Sequence, residues 1–231
     1  MLVPIRDHNP RLKFPAVTVT LSVLNALAFL FELRQTPLAQ KWLVLAGGAI
    51  PFEIVNHVDL PPQDLLPPPG PILTSMFLHG GWLHLIGNMW FLWVFGDNVE
   101  EALGRLRFLA FYFLVGIVAA LVQCFSMPSS LAPMIGASGA VAGALGGYVM
   151  LYPRARIVTV LAPFVWYPFA VPAWVFLGLW FLGQFFIGKE SGVAWMAHVG
   201  GFLAGIGLVR LLAPPRKRPS VEAEYLPPGR W

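Results

Sequence analysis

Charge is what this sequence has least of. Only 11% of its 231 residues are charged, against roughly 25% in an ordinary soluble domain. That scarcity excludes a conventional water-soluble globule. Cysteine is nearly absent too, with Cys124 alone in an apolar run. A single cysteine excludes an intrachain disulfide framework and reads as a small packing residue. There is no H-E-x-x-H helix, which argues against a zinc protease built on His79, His84 and His198. Internal repeats are missing as well, and repeated halves are the usual mark of a transporter.

What is present is apolar. Hydrophobic residues make up 57% of the chain, and the mean hydropathy is +0.69. Six apolar segments stand out, near Ala16–Leu33, Trp82–Val99, Phe108–Met127, Gly136–Leu151, Pro172–Gly188 and Val193–Leu212. A membrane-spanning helix needs about 20 such residues, with roughly 17 to 25 tolerated. Unpaired backbone groups are not tolerated in lipid, so these segments are expected to be helices. The length suits one domain. The expected organisation is a cytoplasmic N-terminus over 1–15, a six-helix domain over 16–213, and a basic, disordered cytoplasmic tail over 214–231. The segment between the first two spans is long and proline-rich at Leu60–Pro71. It holds a short apolar stretch, Trp42–Ile50, too short to span, and the segment reads as an interfacial or partly embedded external loop. Residues Ala162–Val171, with two prolines, read as a broken connection.

Lys and Arg set the orientation. With both termini inside, 12 of the 15 basic residues lie on the inner side, leaving Arg34, Lys41 and Lys189 outside. The net charge of +4 is therefore a topology signal with affinity for anionic lipid, not a nucleic-acid surface. The expected setting is a multi-pass protein of a bacterial cytoplasmic membrane.

Polar residues within spans are costly and mark function. They fall in three places. Gly136-Ala-Ser138-Gly139 opens the fourth segment. Ser138 there reads either as a helix cap or as a nucleophile recessed at a helix N-terminus, where free N–H groups suit an oxyanion. Ala197-His198-Val-Gly-Gly201 lies near the outer end of the sixth segment. His198, Gly201 and Gly205 share one helix face, as do Gly139, Gly143 and Gly147. Small-residue stripes let two membrane helices approach closely, which would bring an imidazole base to a hydroxyl. His79-Gly-Gly-Trp-Leu-His84-Leu-Ile-Gly-Asn88 opens the second segment. His84 and Asn88 are four apart on one face and read either as interhelical glue or as oxyanion donors.

Together these three motifs resemble the rhomboid family of intramembrane serine proteases, over about Thr74 to Gly205. The resemblance implies an all-α, six-helix membrane bundle with a long loop between helices 1 and 2. It implies a Ser138–His198 dyad without a third carboxylate, an oxyanion hole of His84 and Asn88, and a pocket-lining, water-retaining His79. Gly136, Gly139, Gly143, Gly201 and Gly205 would be packing glycines. No metal or other cofactor is implied, and the partners would be transmembrane protein substrates and membrane lipids. Glu190 precedes the sixth segment and is not expected to serve as a third catalytic group. Asp97, Glu100 and Glu101 resemble a structural motif with Gly104 and are expected to tie the helix end to Arg105 or Arg107. Two positions depart from the family. Ala142 stands where many members carry an aromatic residue against the histidine, and Ser75 stands where a further histidine often lies. A non-catalytic helix-binding protein or a transporter is the rival reading. The bulky fifth segment, with Trp174, Phe176, Trp180, Phe181, Phe185 and Phe186, reads either as a gate for lateral entry or, the favoured reading, as a lipid-facing helix.

Overall fold

Apolar helices satisfy their own backbone, so what remains to be decided is how they pack. The computed structural model describes residues 2–9, 12–161, 165–188 and 192–214. Glu190, residues 162–164 of the proline-containing connection and the basic tail from 215 onward lie outside them. The elements run β1 (Leu2–Asp7), α1 (Ala16–Leu33), α2 (Pro37–Gly47), α3 (Pro51–Asn56), α4 (Pro71–Thr74), α5 (Trp82–Phe91), α6 (Asp97–Leu103), α7 (Arg105–Ser126), α8 (Ser138–Leu151), β2 (Arg156–Leu161), β3 (Val165–Pro172), α9 (Ala173–Gln184) and α10 (Trp195–Leu212). A π-helical stretch, Leu92–Gly96, joins α5 to α6.

Among the described residues, three helices are long and apolar enough to cross a membrane: α1, α7 and α10. The second expected segment continues without a break in helical conformation from α5 through the π-helical stretch into α6, and α8 and α9 are shorter, with 14 and 12 residues. The loop before α5 is not structureless. Thr36 caps α2 through its hydroxyl, which accepts from the Ala39 N–H, and prolines sit in the first turns of α2, α3 and α4.

The chain is predominantly helical, and the structure adds a three-stranded antiparallel sheet in the order β1-β2-β3. Its strands include Ile157-Val-Thr-Val160, a β-branched run that suits a pleated surface. Strand β1 comes from the segment before α1, so the N-terminal residues pack against the domain. Asp7 accepts bonds from the Tyr148 hydroxyl of α8 and from Asn98 Nδ2 of α6. Burial pushes the Asp7 carboxyl above its ordinary value, and the Tyr148 bond opposes that shift.

The acids near the end of α6 have partners other than those expected. The Glu100 carboxylate accepts from the N–H groups of Val17 and Thr18, and Glu101 accepts from the Leu12 N–H. Glu100 thus satisfies donors in the first turn of α1 that no helical carbonyl can reach. This correction follows from chain geometry: α1 starts beside the end of α6.

Phe95, Phe108, Phe111, Tyr112, Tyr148 and Phe176 are fully buried between α6, α7, α8 and α9. Helix α8 crosses this core against α10. A Cβ added to Gly201 would fall 2.1 Å from the Gly139 carbonyl oxygen, and one on Gly205 2.0 Å from that of Gly143. The two helices therefore touch backbone to backbone, as the glycine stripes anticipate.

Candidate active site

Ser138 is the first residue of α8, where the helix leaves N–H groups without intrahelical acceptors. The turn before it depends on Gly136, whose φ of +115° lies in the left-handed region. The Gly136 N–H donates to the Ser75 carbonyl at 2.8 Å, so Ser75 holds this loop through its backbone. A Cβ on Gly136 would lie 2.6 Å from His84 Nε2 and 3.6 Å from Asn88 Nδ2. The His84–Asn88 motif and the Ser138 motif are therefore pressed together. Ser138 opens onto a small cavity lined by Ser75, Met76, Gly116, Ala119, Ile135 and Ala197, among others.

His79 is buried at 2% exposure. Its Nδ1 lies 3.3 Å from the Phe77 carbonyl, and its Nε2 lies 3.1 Å from Asn88 Nδ2. A carbonyl only accepts, so Nδ1 carries the proton and Nε2 accepts from Asn88. One N–H of the Asn88 amide is thereby used and the other remains available. The His79 and His84 rings meet edge to face at 5.0 Å. The Glu32 carboxylate of α1, itself buried, accepts from the His79 backbone N–H at 3.2 Å.

His198 sits in the first turns of α10, next to the α8 contact. A Cβ on Gly139 would be 3.8 Å from the Cβ of Ala197. His198 Nδ1 lies 2.7 Å from Gln184 Oε1, and Gln184 Nε2 donates to the Trp180 carbonyl at 2.9 Å. That second bond fixes which end of the amide faces the ring. Nδ1 of His198 is therefore the donor, and its Nε2 lone pair is left free. The Trp180 ring packs over the imidazole with centroids 6.1 Å apart. Ala142, fully buried in α8, brings no aromatic ring to the histidine, and Trp180 of α9 supplies one. Ser138 and His198 share no direct hydrogen bond.

Gln184, Trp180 and Glu32 were not singled out in the sequence as parts of the site. A signal existed for the first two, which lie four apart on one face of α9. The aromatic fifth segment is also not uniformly lipid-facing. Phe176 is buried, Trp180 and Phe181 pack on Phe202, and Trp174, Phe185 and Phe186 stay exposed.

A family model described as the rhomboid domain matches residues 70–215, the stretch that carries all three motifs. The chain belongs to the rhomboid family. It is 33% identical to RHOMBOID-like protein 5 of Arabidopsis thaliana over 160 residues, which cover 68% of this chain and 48% of that one. It is 33% identical to the chloroplastic rhomboid-like protein 11 of the same plant over 147 residues, 61% of this chain and 51% of the relative. It is 28% identical to the mitochondrial presenilin-associated rhomboid-like protein of Bos taurus over 191 residues, 82% and 47% of the two chains. The chain thus spans about half the length of these relatives. Two of them are named for organelles, and nothing in this set supports the bacterial membrane expected from the sequence. With three apolar helices of spanning length, this rhomboid is a membrane protein.

Proposed function

We propose that this rhomboid is an intramembrane serine endopeptidase with Ser138 as nucleophile and His198 as general base. The observation that carries the reading is the bonding of His198. Its Nδ1–H is committed to Gln184, which leaves Nε2 as the acceptor that a serine proton requires. Ser138 Oγ would attack a substrate carbonyl as Nε2 takes the hydroxyl proton. His84, Asn88 and the N–H groups opening α8 would receive the oxyanion. His198 would then protonate the leaving amine, and water would release the acyl group. The bond from Asn88 to His79 makes His79 a positioning residue for the oxyanion hole, beside its expected part in retaining water. Catalytic hydrogen bonds are often long without substrate and tighten in the complex, which is consistent with the open Ser138–His198 pair.

The six-span topology with both termini cytoplasmic belongs to the same proposal. It counts the α5–α6 run, α8 and α9 as spans, the last two being short. The substrates would be transmembrane proteins cut near the outer face, where a helix must unwind to expose its carbonyl. A second reading is a catalytically silent helix-binding rhomboid, favoured by the missing Ser138–His198 bond. Fluorophosphonate labelling of the purified protein in detergent, read by intact mass, separates the two. Labelling lost in both Ser138→Ala and His198→Ala is expected for the protease. A folded parent chain that takes no label is the result expected of the silent protein.

A further inference from the structure

Three carboxylates outside the candidate spans sit together, with no ion-pair partner among the described residues. Glu53 in α3, and Asp59 and Asp64 in the loop that follows, each offer an oxygen within 4.8 Å of the others. The arrangement is built by the backbone. Glu53 Oε1 accepts from the Leu60 N–H at 3.1 Å, and Asp59 Oδ1 accepts from the Asp64 N–H at 3.0 Å. The Leu65 N–H donates to the Ala46 carbonyl at 2.7 Å, which ties the loop to α2.

The decisive feature is what remains unbonded. Glu53 is only 2% exposed, yet its Oε2 has no hydrogen-bond partner, and neither carboxylate oxygen of Asp64 has one. Buried, unpaired carboxylates are costly and normally find a proton, a base or a metal. A shared proton would draw two oxygens into a short O–H···O bond. These buried oxygens make none. One carboxylate oxygen from each of Glu53, Asp59 and Asp64 lies within 4.8 Å of the other two, a span that a single hard cation can bridge, since oxygens on opposite sides of a calcium ion lie about 5 Å apart.

We propose that Glu53, Asp59 and Asp64 bind one Ca2+ ion. Carboxylates from a short loop, with water filling the remaining positions, suit the flexible oxygen coordination of calcium better than the strict octahedron of magnesium. With three acidic ligands and one exposed edge at Asp59, the affinity falls in the range of extracellular modules, with a dissociation constant of about 0.1–1 mM. In the topology proposed above this loop faces outside, but ion binding depends on neither the topology nor the protease activity.

The test is equilibrium dialysis of the full chain, purified in detergent and stripped with EDTA, against radioactive Ca2+. One ion per chain is expected, with weak competition from equimolar Mg2+. Binding should fall at least 10-fold in Asp64→Asn and Glu53→Gln. Should Glu53→Gln misfold, the exposed Asp59→Asn variant replaces it. The proposal fails if the parent binds no calcium at several millimolar, or if binding persists unchanged in the Asp64 and Asp59 variants. It also fails if magnesium binds as well as calcium. A protein that binds calcium but takes no fluorophosphonate label would separate this site from the catalytic reading.

Discussion

Two seams meet at His198, and they are built in opposite ways. The seam between α8 and α10 is glycine against backbone. Gly201 and Gly205 press on the Gly139 and Gly143 carbonyls, and no side chain intervenes. The seam between α9 and α10 is side chain against side chain, with Gln184 and Trp180 on His198 and Phe181 on Phe202. The first seam sets where the α10 backbone lies and has almost no tolerance. The second sets how the imidazole is turned, and it can be weakened by degrees. Location and orientation of the His198 imidazole are thus assigned to different helices.

Substitutions should separate these roles. The largest effect is expected at Gly201. A methyl there would sit at 2.1 Å from a carbonyl oxygen, so Gly201→Ala should destabilise by about 3 kcal/mol and Gly201→Val by more. Thermal unfolding in detergent reads this directly. A Gly201→Val chain that melted like the parent would mean that the helices are not in backbone contact.

Next comes Gln184→Ala, which leaves α8 against α10 untouched. It should lower fluorophosphonate reactivity roughly 10- to 100-fold, by analogy with the loss on removing the partner that orients a metal-bound imidazole. Its melting temperature should stay near that of the parent. The pH profile should shift as well, because the unbonded Nδ1 no longer selects one tautomer. Gln184→Glu should restore part of the rate by accepting the same N–H. Unaltered reactivity of Gln184→Ala across the pH range would remove the residue from the site.

Trp180→Phe should be milder. A smaller ring still covers the histidine, and about a threefold loss of rate is expected, corresponding to ~0.7 kcal/mol of packing. Labelling kinetics beside those of Gln184→Ala would rank the two contacts.

The smallest effect lies at the opposite end of the bundle. Burial raises the Asp7 carboxyl above its ordinary value, so the folded state holds that proton more tightly than the unfolded chain does. Asp7 therefore adds stability as pH falls through the window between its ordinary and its raised value, and that increment is lost as pH rises through the raised value. The increment should vanish in Asp7→Asn, which melting curves between pH 4 and 7 would detect, while labelling at Ser138 stays unchanged.

The glycine seam was legible in the sequence and the aromatic seam was not. Gly139, Gly143, Gly201 and Gly205 recur at helical spacing, and a stripe of hydrogens has few uses other than close approach. His84 and Asn88 were legible for a similar reason, as costly polar groups on one helix face. For Gln184 the four-residue spacing from Trp180 was visible, but an amide in an apolar helix does not name its partner on another helix. The sheet was hidden because β1 and β2 lie some 150 residues apart in sequence, and short strands give no periodic signal of their pairing. Glu100 was assigned the wrong partner because nearby arginines were visible in sequence, whereas the start of α1 was not.

By itself the sequence determined that this chain enters a membrane, which helix faces are smooth, and which polar residues lie within apolar segments. These are local properties, set by transfer free energy and helical period. Only the tertiary structure decided that Gln184 bonds Nδ1 of His198, that Trp180 meets the His198 ring, and that His79 bonds Asn88. Each of these depends on which helices become neighbours and how far each is rotated. That is a property of packed volume, which no single helix encodes.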